Sequence, residues 1–389
     1  MKRVIMSALT ATAIGLMTPT ANAAPTYQLL VGTYTQGSSE GIYRYPFDAG
    51  TGLIDPHAQQ VFKSANPSWL TLSADQKRLF VVNENGPGQS DPVGKVSSFA
   101  LAPDSHDISL INQVESRGDE PTHASLSGDG RYLFVANYAV NPDPGGSLSV
   151  LKVGENGKLS TVVQQLKHVA SKANPERQAG PHVHSIVSLP GGGQYVYASD
   201  LGADRIYVYR YQPDTPDQPL VPANPASVKL PDGSGPRHLL FSTDGKHAYL
   251  TLEMSGQVAM FDVEAGKLER RQLLDMVAPG KESAGGALHF SADGRFLYVS
   301  NRGTANQMLV YSIDAANGHL KEVQRRTVEG DHPREFTLDP SGQFLLIANQ
   351  KSNQIVVLKR DTQTGQLGET VQKFPMDSPS DLKFLSARP

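Results

Sequence analysis

The chain has 389 residues, with 39% hydrophobic and 19% charged side chains, 36 Gly, 27 Pro, no Cys and a formal net charge of −3. That much turn chemistry argues against a helical bundle, and that much apolar content argues against disorder. The missing cysteines exclude a disulfide framework, a thiolate nucleophile and Cys-ligated metal clusters, and the small net charge gives no general reason for a nucleic-acid or membrane partner.

Residues 1–23 read as an export signal: Lys2 and Arg3, an apolar stretch from Val4 to Met17, then Ala21-Asn22-Ala23 as a cleavage site. The stretch is too short to span a bilayer, which takes about 20 residues. Residues 24–389 are then a single domain outside a bacterial inner membrane, with no membrane insertion of the mature chain.

From there the chain repeats itself. A polar turn followed by an apolar run occurs at 73–84, 127–138, 189–200, 242–253, 291–302 and 339–350, and a degenerate seventh copy of the run lies at 29–34. The ends of successive copies fall 48 to 62 residues apart, a period near fifty. Ahead of each turn lies a second apolar strand, at 67–72, 121–126, 182–188, 236–241, 286–290 and 333–338, with the seventh at 379–384. Alternating segments such as 146–153 and 204–210 follow each copy. Four strands per repeat and seven repeats predict an all-β, seven-bladed propeller whose N- and C-terminal strands share one blade and so close the ring.

Register points to a site. Counting from the first residue of each turn, position −5 holds Ser68, Thr122, His184, Arg237, Gly286, Arg334 and Ser380. Position +11 holds Tyr34, Glu84, Tyr138, Asp200, Glu253, Arg302 and Gln350. The two strands are antiparallel neighbours joined by the turn, so both positions lie at the end away from it, around one mouth of the central channel. Charged side chains at the ends of apolar strands are costly unless paired or used. His184, Arg237, Arg334, Asp200, Glu253 and Arg302 are therefore expected to form a pocket, with Arg–carboxylate pairing through Glu253, Asp200 and Glu335 as the structural alternative.

Several motifs receive a plainer reading. His182 and His184 form an H-x-H pair on one side of a strand, but no third ligand has an evident spacing, so no metal is expected and one of them is a candidate general base. His238, His289 and His332 lie beside the same strands and are as readily core as catalytic. Gly37-Ser38-Ser39-Glu40-Gly41 matches a nucleophile-elbow pattern but falls between two strands, which makes it a hairpin loop. Asn83, Asn137, Asn301 and Asn349 are expected to satisfy backbone groups at strand ends, with Asn301 and Asn349 also candidates to touch a ligand.

Pro181-His-Val-His184, 198–206, Gly235-Pro-Arg-His238, the Glu253 segment, Ser300-Asn-Arg302, His332-Pro-Arg-Glu335 and Ala348-Asn-Gln350 together resemble the seven-bladed propeller lactonases, which include bacterial 6-phosphogluconolactonases and fungal carboxymuconate-lactonizing enzymes. The resemblance covers essentially all of residues 24–389. It implies lactone chemistry without an obligatory cofactor, with His184, Glu253, Arg237 and Arg302 as catalytic candidates. His182, Asp200, Arg334, Glu335, Asn301 and Asn349 are the candidates for substrate binding. Because the chain carries a signal, an unphosphorylated aldonolactone such as D-glucono-1,5-lactone is the expected small-molecule partner, in the periplasm. The alternatives are a 6-phosphogluconolactonase and a non-catalytic propeller that binds a partner at its mouth. The single Trp, Trp69, argues against a broad aromatic docking surface and against the Trp-rich blades of quinoprotein dehydrogenases.

Overall fold

The computed structural model describes residues 25–103, 105–139, 147–277 and 279–386; the expected signal at 1–23 lies outside them. Among the described residues there are 29 strands and no helix, arranged in seven antiparallel sheets. Six sheets have four strands in sequence order. The remaining one, blade one, joins the C-terminal strand Pro379–Leu385 to Thr26–Thr33 and Gly41–Asp48, with two short strands outside. The ring is therefore closed as the split seventh copy predicts.

The repeated turn has a local cause. Ser242 Oγ donates to Asp244 Oδ1 (2.7 Å), the same oxygen accepts the Lys246 N–H (3.1 Å), and Gly245 supplies φ 69°. Ser127-Gly-Asp129-Gly130 and Ser291-Ala-Asp293-Gly294 repeat this arrangement. The run after the turn is apolar on both faces because each sheet packs between two others. One core cluster joins Tyr197, Ile206 and Val208 of blade four to Leu239, Leu250 and Phe261 of blade five. Another joins Leu29, Val31 and Phe47 of blade one to Leu346, Ile355 and Val357 of blade seven. Each such side chain contributes about 1.5–3 kcal/mol on burial.

The innermost strands are Pro67–Leu72, Asp119–Leu126, Val183–Ser188, Pro236–Phe241, Gly285–Phe290, Pro333–Leu338 and Pro379–Leu385. Each touches the innermost strands of both neighbouring blades, so together they line the axis. All seven break register with the second strand at the same place. Pairing jumps from Pro67 to Trp69, Pro121 to His123, Val183 to Ser185, Pro236 to Leu239, Gly285 to Leu288, Pro333 to Glu335 and Pro379 to Asp381. The residues skipped include Ser68, Thr122, His184, Arg237, Gly286, Arg334 and Ser380. Position −5 is thus a β-bulge in every blade, and a bulge re-aims the side chain that it carries.

Candidate active site at the channel mouth

The bulges bring His184, Arg237, Arg302 and Glu253 together. Arg302 Nη2 lies 2.6 Å from Glu253 Oε2, Arg237 Nε 3.3 Å from the same oxygen, and Arg177 Nη2 2.8 Å from Oε1. Burial alone would raise the Glu253 carboxyl, but Arg302 and Arg237 hold it well below the usual carboxylate range. Arg237 is 1% exposed. Burial and the nearby Arg302 bring its guanidinium down to about 9, which leaves it charged at neutral pH. His184 is 4% exposed and its Nδ1 has no hydrogen-bond partner. Burial first, and then Arg237, push its imidazole well below its ordinary value, so the ring is neutral at physiological pH.

The other half of the mouth has a second carboxylate. Glu84 Oε2 accepts from Tyr34 Oη (2.8 Å) and Ser68 Oγ (2.5 Å), and Arg334 Nη2 lies 3.2 Å away. Arg334 reaches Glu84 across blade one, with its guanidinium 5.0 Å from the Tyr34 ring centroid. The mouth therefore gathers four arginines, Arg177, Arg237, Arg302 and Arg334, around two carboxylates. Blade six has Gly286 at the bulge, where a Cβ would collide with Ser300 Oγ, so the bulge of that blade sends no side chain into the mouth between Arg237 and Arg334. A cavity of about 630 Å³ opens beside Glu253 and Arg302 and is also lined by Arg177, His332 and Lys351. Below the mouth, the Trp69 ring meets those of His123 (4.3 Å) and His238 (5.4 Å), and Lys383 Nζ lies 4.5 Å above it. Side chains of four blades thus converge across the axis and give the pocket a floor.

The structure redistributes several expected residues. Asp200 is not at the mouth. The turn of blade four is one residue longer, since Leu189 N bonds Tyr195 O where Ser242 N bonds His247 O, so counting forward from it stops one residue short of the ring. Leu201, bonded to His182 O, occupies the position of Glu253, which bonds Gly235 O. Asp200 instead takes the place that Asn83, Asn137, Asn301 and Asn349 hold in other blades. It is fully buried, accepts from the His182 and Ala203 N–H groups (2.8 and 3.0 Å) and pairs with His168 Nδ1 at 2.7 Å.

Asn301 and Asn349 are likewise fully buried. Asn301 bonds Met276 O, Ser283 Oγ and Ala284 N, and Asn349 donates to Val328 O while its Oδ1 has no hydrogen-bond partner, so both serve the strand ends as expected. Glu335, 1% exposed, sits on the channel wall bonded to His289 Nε2 (2.6 Å) and the Phe336 N–H, and makes no direct ion pair with Arg237, Arg302 or Arg334. The expected pairing of Arg237, Arg302 and Arg334 with Glu253, Asp200 and Glu335 is replaced: the first two share Glu253, and Arg334 takes Glu84. His182 lies at the rim, where its ring stacks on Tyr138 and its Nδ1 lies 2.6 Å from Tyr138 O. Residues 34–40 connect two strands of one sheet, as a hairpin loop should.

Two residues of the site escaped the sequence reading. Glu84 carried the same register signal as Glu253 but lay among neutral neighbours. Arg177 sits on the connection between blades three and four, where no strand register exists to place it.

The sequence model of the family described as Lactonase, 7-bladed beta-propeller, matches residues 28–384. The chain belongs to the seven-bladed β-propeller lactonase family. It is 33% identical over 361 residues to a 6-phosphogluconolactonase from Formosa agariphila, covering 92% of this chain and 99% of that one. It is 31% identical over 360 residues to the 6-phosphogluconolactonase of Bacillus subtilis, covering 91% and 97%. A solved structure of the periplasmic gluconolactonase PpgL from Pseudomonas aeruginosa superposes with a TM-score of 0.90 at 52% identity, covering 93% of this lactonase chain and all of that one. Among the described residues, no helix is long and apolar enough to cross a membrane.

Proposed function

We propose that this lactonase is a periplasmic sugar-lactone hydrolase that opens D-glucono-1,5-lactone, or a related aldonolactone, to the aldonic acid. The observation that carries the reading is a neutral, unpartnered His184 beside two arginines that share one carboxylate. The name and 52% identity of the Pseudomonas aeruginosa protein support an unphosphorylated substrate and the compartment.

Hydrolysis needs a water to attack the lactone carbonyl, stabilisation of the oxyanion and a proton for the departing ring oxygen. His184 takes the proton as the water oxygen bonds to C1. Arg237 and Arg302 donate to the carbonyl oxygen as it gains charge. When the bond between C1 and the ring oxygen breaks, the imidazolium returns its proton to that oxygen. The new carboxylic acid gives its remaining proton to solvent, and the carboxylate remains beside the arginines until release. Glu253 is the weaker candidate for the base, because both its oxygens are engaged by Arg302, Arg237 and Arg177, whereas His184 Nδ1 has no hydrogen-bond partner. Its role is to hold Arg237 and Arg302 in place.

Because the base is already neutral far below pH 6.5, lowering the pH from 7.5 to 6 should leave kcat/KM nearly unchanged, and the acid limb should appear only below that range. His184→Gln should reduce kcat by about a hundredfold or more, within the range that general-base catalysis supplies. Initial rates of proton release across pH 5 to 8 test both. An acid limb centred on 6.5, or a His184→Gln variant within threefold of wild type, would remove His184 from the role.

The relatives named 6-phosphogluconolactonase favour a second reading, in which the substrate is phosphorylated. Lys351, on the wall of the cavity beside Arg302, is the cation best placed to meet such a group.

A further inference from the structure

We propose that Tyr34, Ser68, Glu84, Thr122 and Ser380 form the part of the site that reads the hydroxyl groups of the substrate, with Glu84 accepting hydrogen bonds from a vicinal diol of an uncharged sugar lactone. The inference rests on the sugar-lactone reading above.

These residues occupy the same bulge and strand-end positions as His184, Arg237 and Glu253, but on blades one to three. A ligand whose carbonyl lies against the arginine side therefore turns its far edge toward them. Their chemistry suits hydroxyl groups. Glu84 Oε2 collects Tyr34 Oη, Ser68 Oγ, Thr122 Oγ1 (3.4 Å) and Arg334 Nη2, while Oε1 meets only Arg334 Nη2 at 3.4 Å. A carboxylate offers about four lone-pair sites on its two oxygens, so Oε1 retains acceptor capacity. Ser380 Oγ is an independent sign. The residue is 1% exposed, and its hydroxyl has no hydrogen-bond partner. A buried polar atom left unpaired is uncommon, and a ligand hydroxyl at the mouth would satisfy it.

The arc also disfavours an anion. Arg334 is already engaged by Glu84 and lies over Tyr34, so it offers no uncompensated cation. Glu120, on the same side, is a half-buried carboxyl raised by burial and by the charge of Glu84. A phosphate placed here would meet two acidic side chains, whereas a hydroxyl both donates and accepts.

The test compares wild type, Glu84→Gln and Ser68→Ala on D-glucono-1,5-lactone, with δ-valerolactone as a ring that lacks hydroxyl groups. Ser68→Ala keeps every charge in place, so it remains informative if Glu84→Gln disturbs folding. The expected result is a KM for gluconolactone raised at least tenfold in Glu84→Gln and at least threefold in Ser68→Ala, with kcat within threefold of wild type. Wild-type kcat/KM for δ-valerolactone should be at least a hundredfold lower than for gluconolactone. A fall in kcat at unchanged KM, a KM within twofold in both variants, or comparable wild-type use of the two lactones would overturn the assignment. If wild type fails to accelerate gluconolactone opening at all, the sugar-lactone reading beneath it falls, and that result is distinct from a variant effect.

Discussion

Arg237→Ala should lower kcat/KM for glucono-1,5-lactone by about a hundred- to a thousandfold, the usual effect of losing one donor to a developing oxyanion. Arg237 is carried on a β-bulge and 1% exposed, and its Nε faces Glu253. Its Nη2 donates to no group among the described residues, so a donor is left for the ligand. Loss of the side chain should not unfold the protein. Glu253 keeps Arg302 and Arg177 as partners, and the repulsion between Arg237 and Arg302 is relieved. Arg237→Lys restores the charge as a single compact point without the planar fork, so it should recover only part of the lost rate. Initial-rate proton release measures all three proteins, and an Arg237→Ala variant within threefold of wild type would contradict the oxyanion role.

Glu253→Leu should have the largest effect on stability. The substitution leaves Arg237 and Arg302, 1% and 5% exposed, side by side with no carboxylate between them. Removing one partner of a buried ion pair costs about 3–5 kcal/mol, because the remaining charge is desolvated and uncompensated. Glu253→Gln retains the acceptor oxygen and should cost less, with the same sign. Urea unfolding at pH 7 gives the midpoints. A Glu253→Leu midpoint equivalent to under about 1 kcal/mol of lost stability would mean that water or rearranged side chains already solvate the two arginines.

The fold was legible in the sequence because most blades repeat one local instruction, a polar turn followed by an apolar run. The Ser-x-Asp-Gly turn bonds to itself, and the apolar run after it has no face that tolerates water. The strands at 29–34 and 379–384 make sense only as halves of one blade, and they pair as such. Counting from the turns located His184, Arg237, Glu253 and Arg302, since each lies at a fixed distance along strands of regular rise. The same counting failed at Asp200, where a Gly-Gly-Gly turn inserts one residue and exchanges a mouth position for a backbone cap. It also could not show that position −5 is a bulge, because a bulge is a property of two paired strands. Which arginine meets which carboxylate was equally hidden. Arg334 crosses a whole blade to reach Glu84, and no local pattern encodes that distance.

The central claim is that this mouth opens an unphosphorylated sugar lactone. A pH-indicator assay of proton release from D-glucono-1,5-lactone, corrected for spontaneous opening and run beside 6-phosphogluconolactone, tests it most directly. The account predicts opening of glucono-1,5-lactone faster than the uncatalysed rate, with a kcat/KM at least tenfold higher than for the phosphorylated lactone. No acceleration of glucono-1,5-lactone, or a clear preference for the phosphorylated lactone, would contradict it.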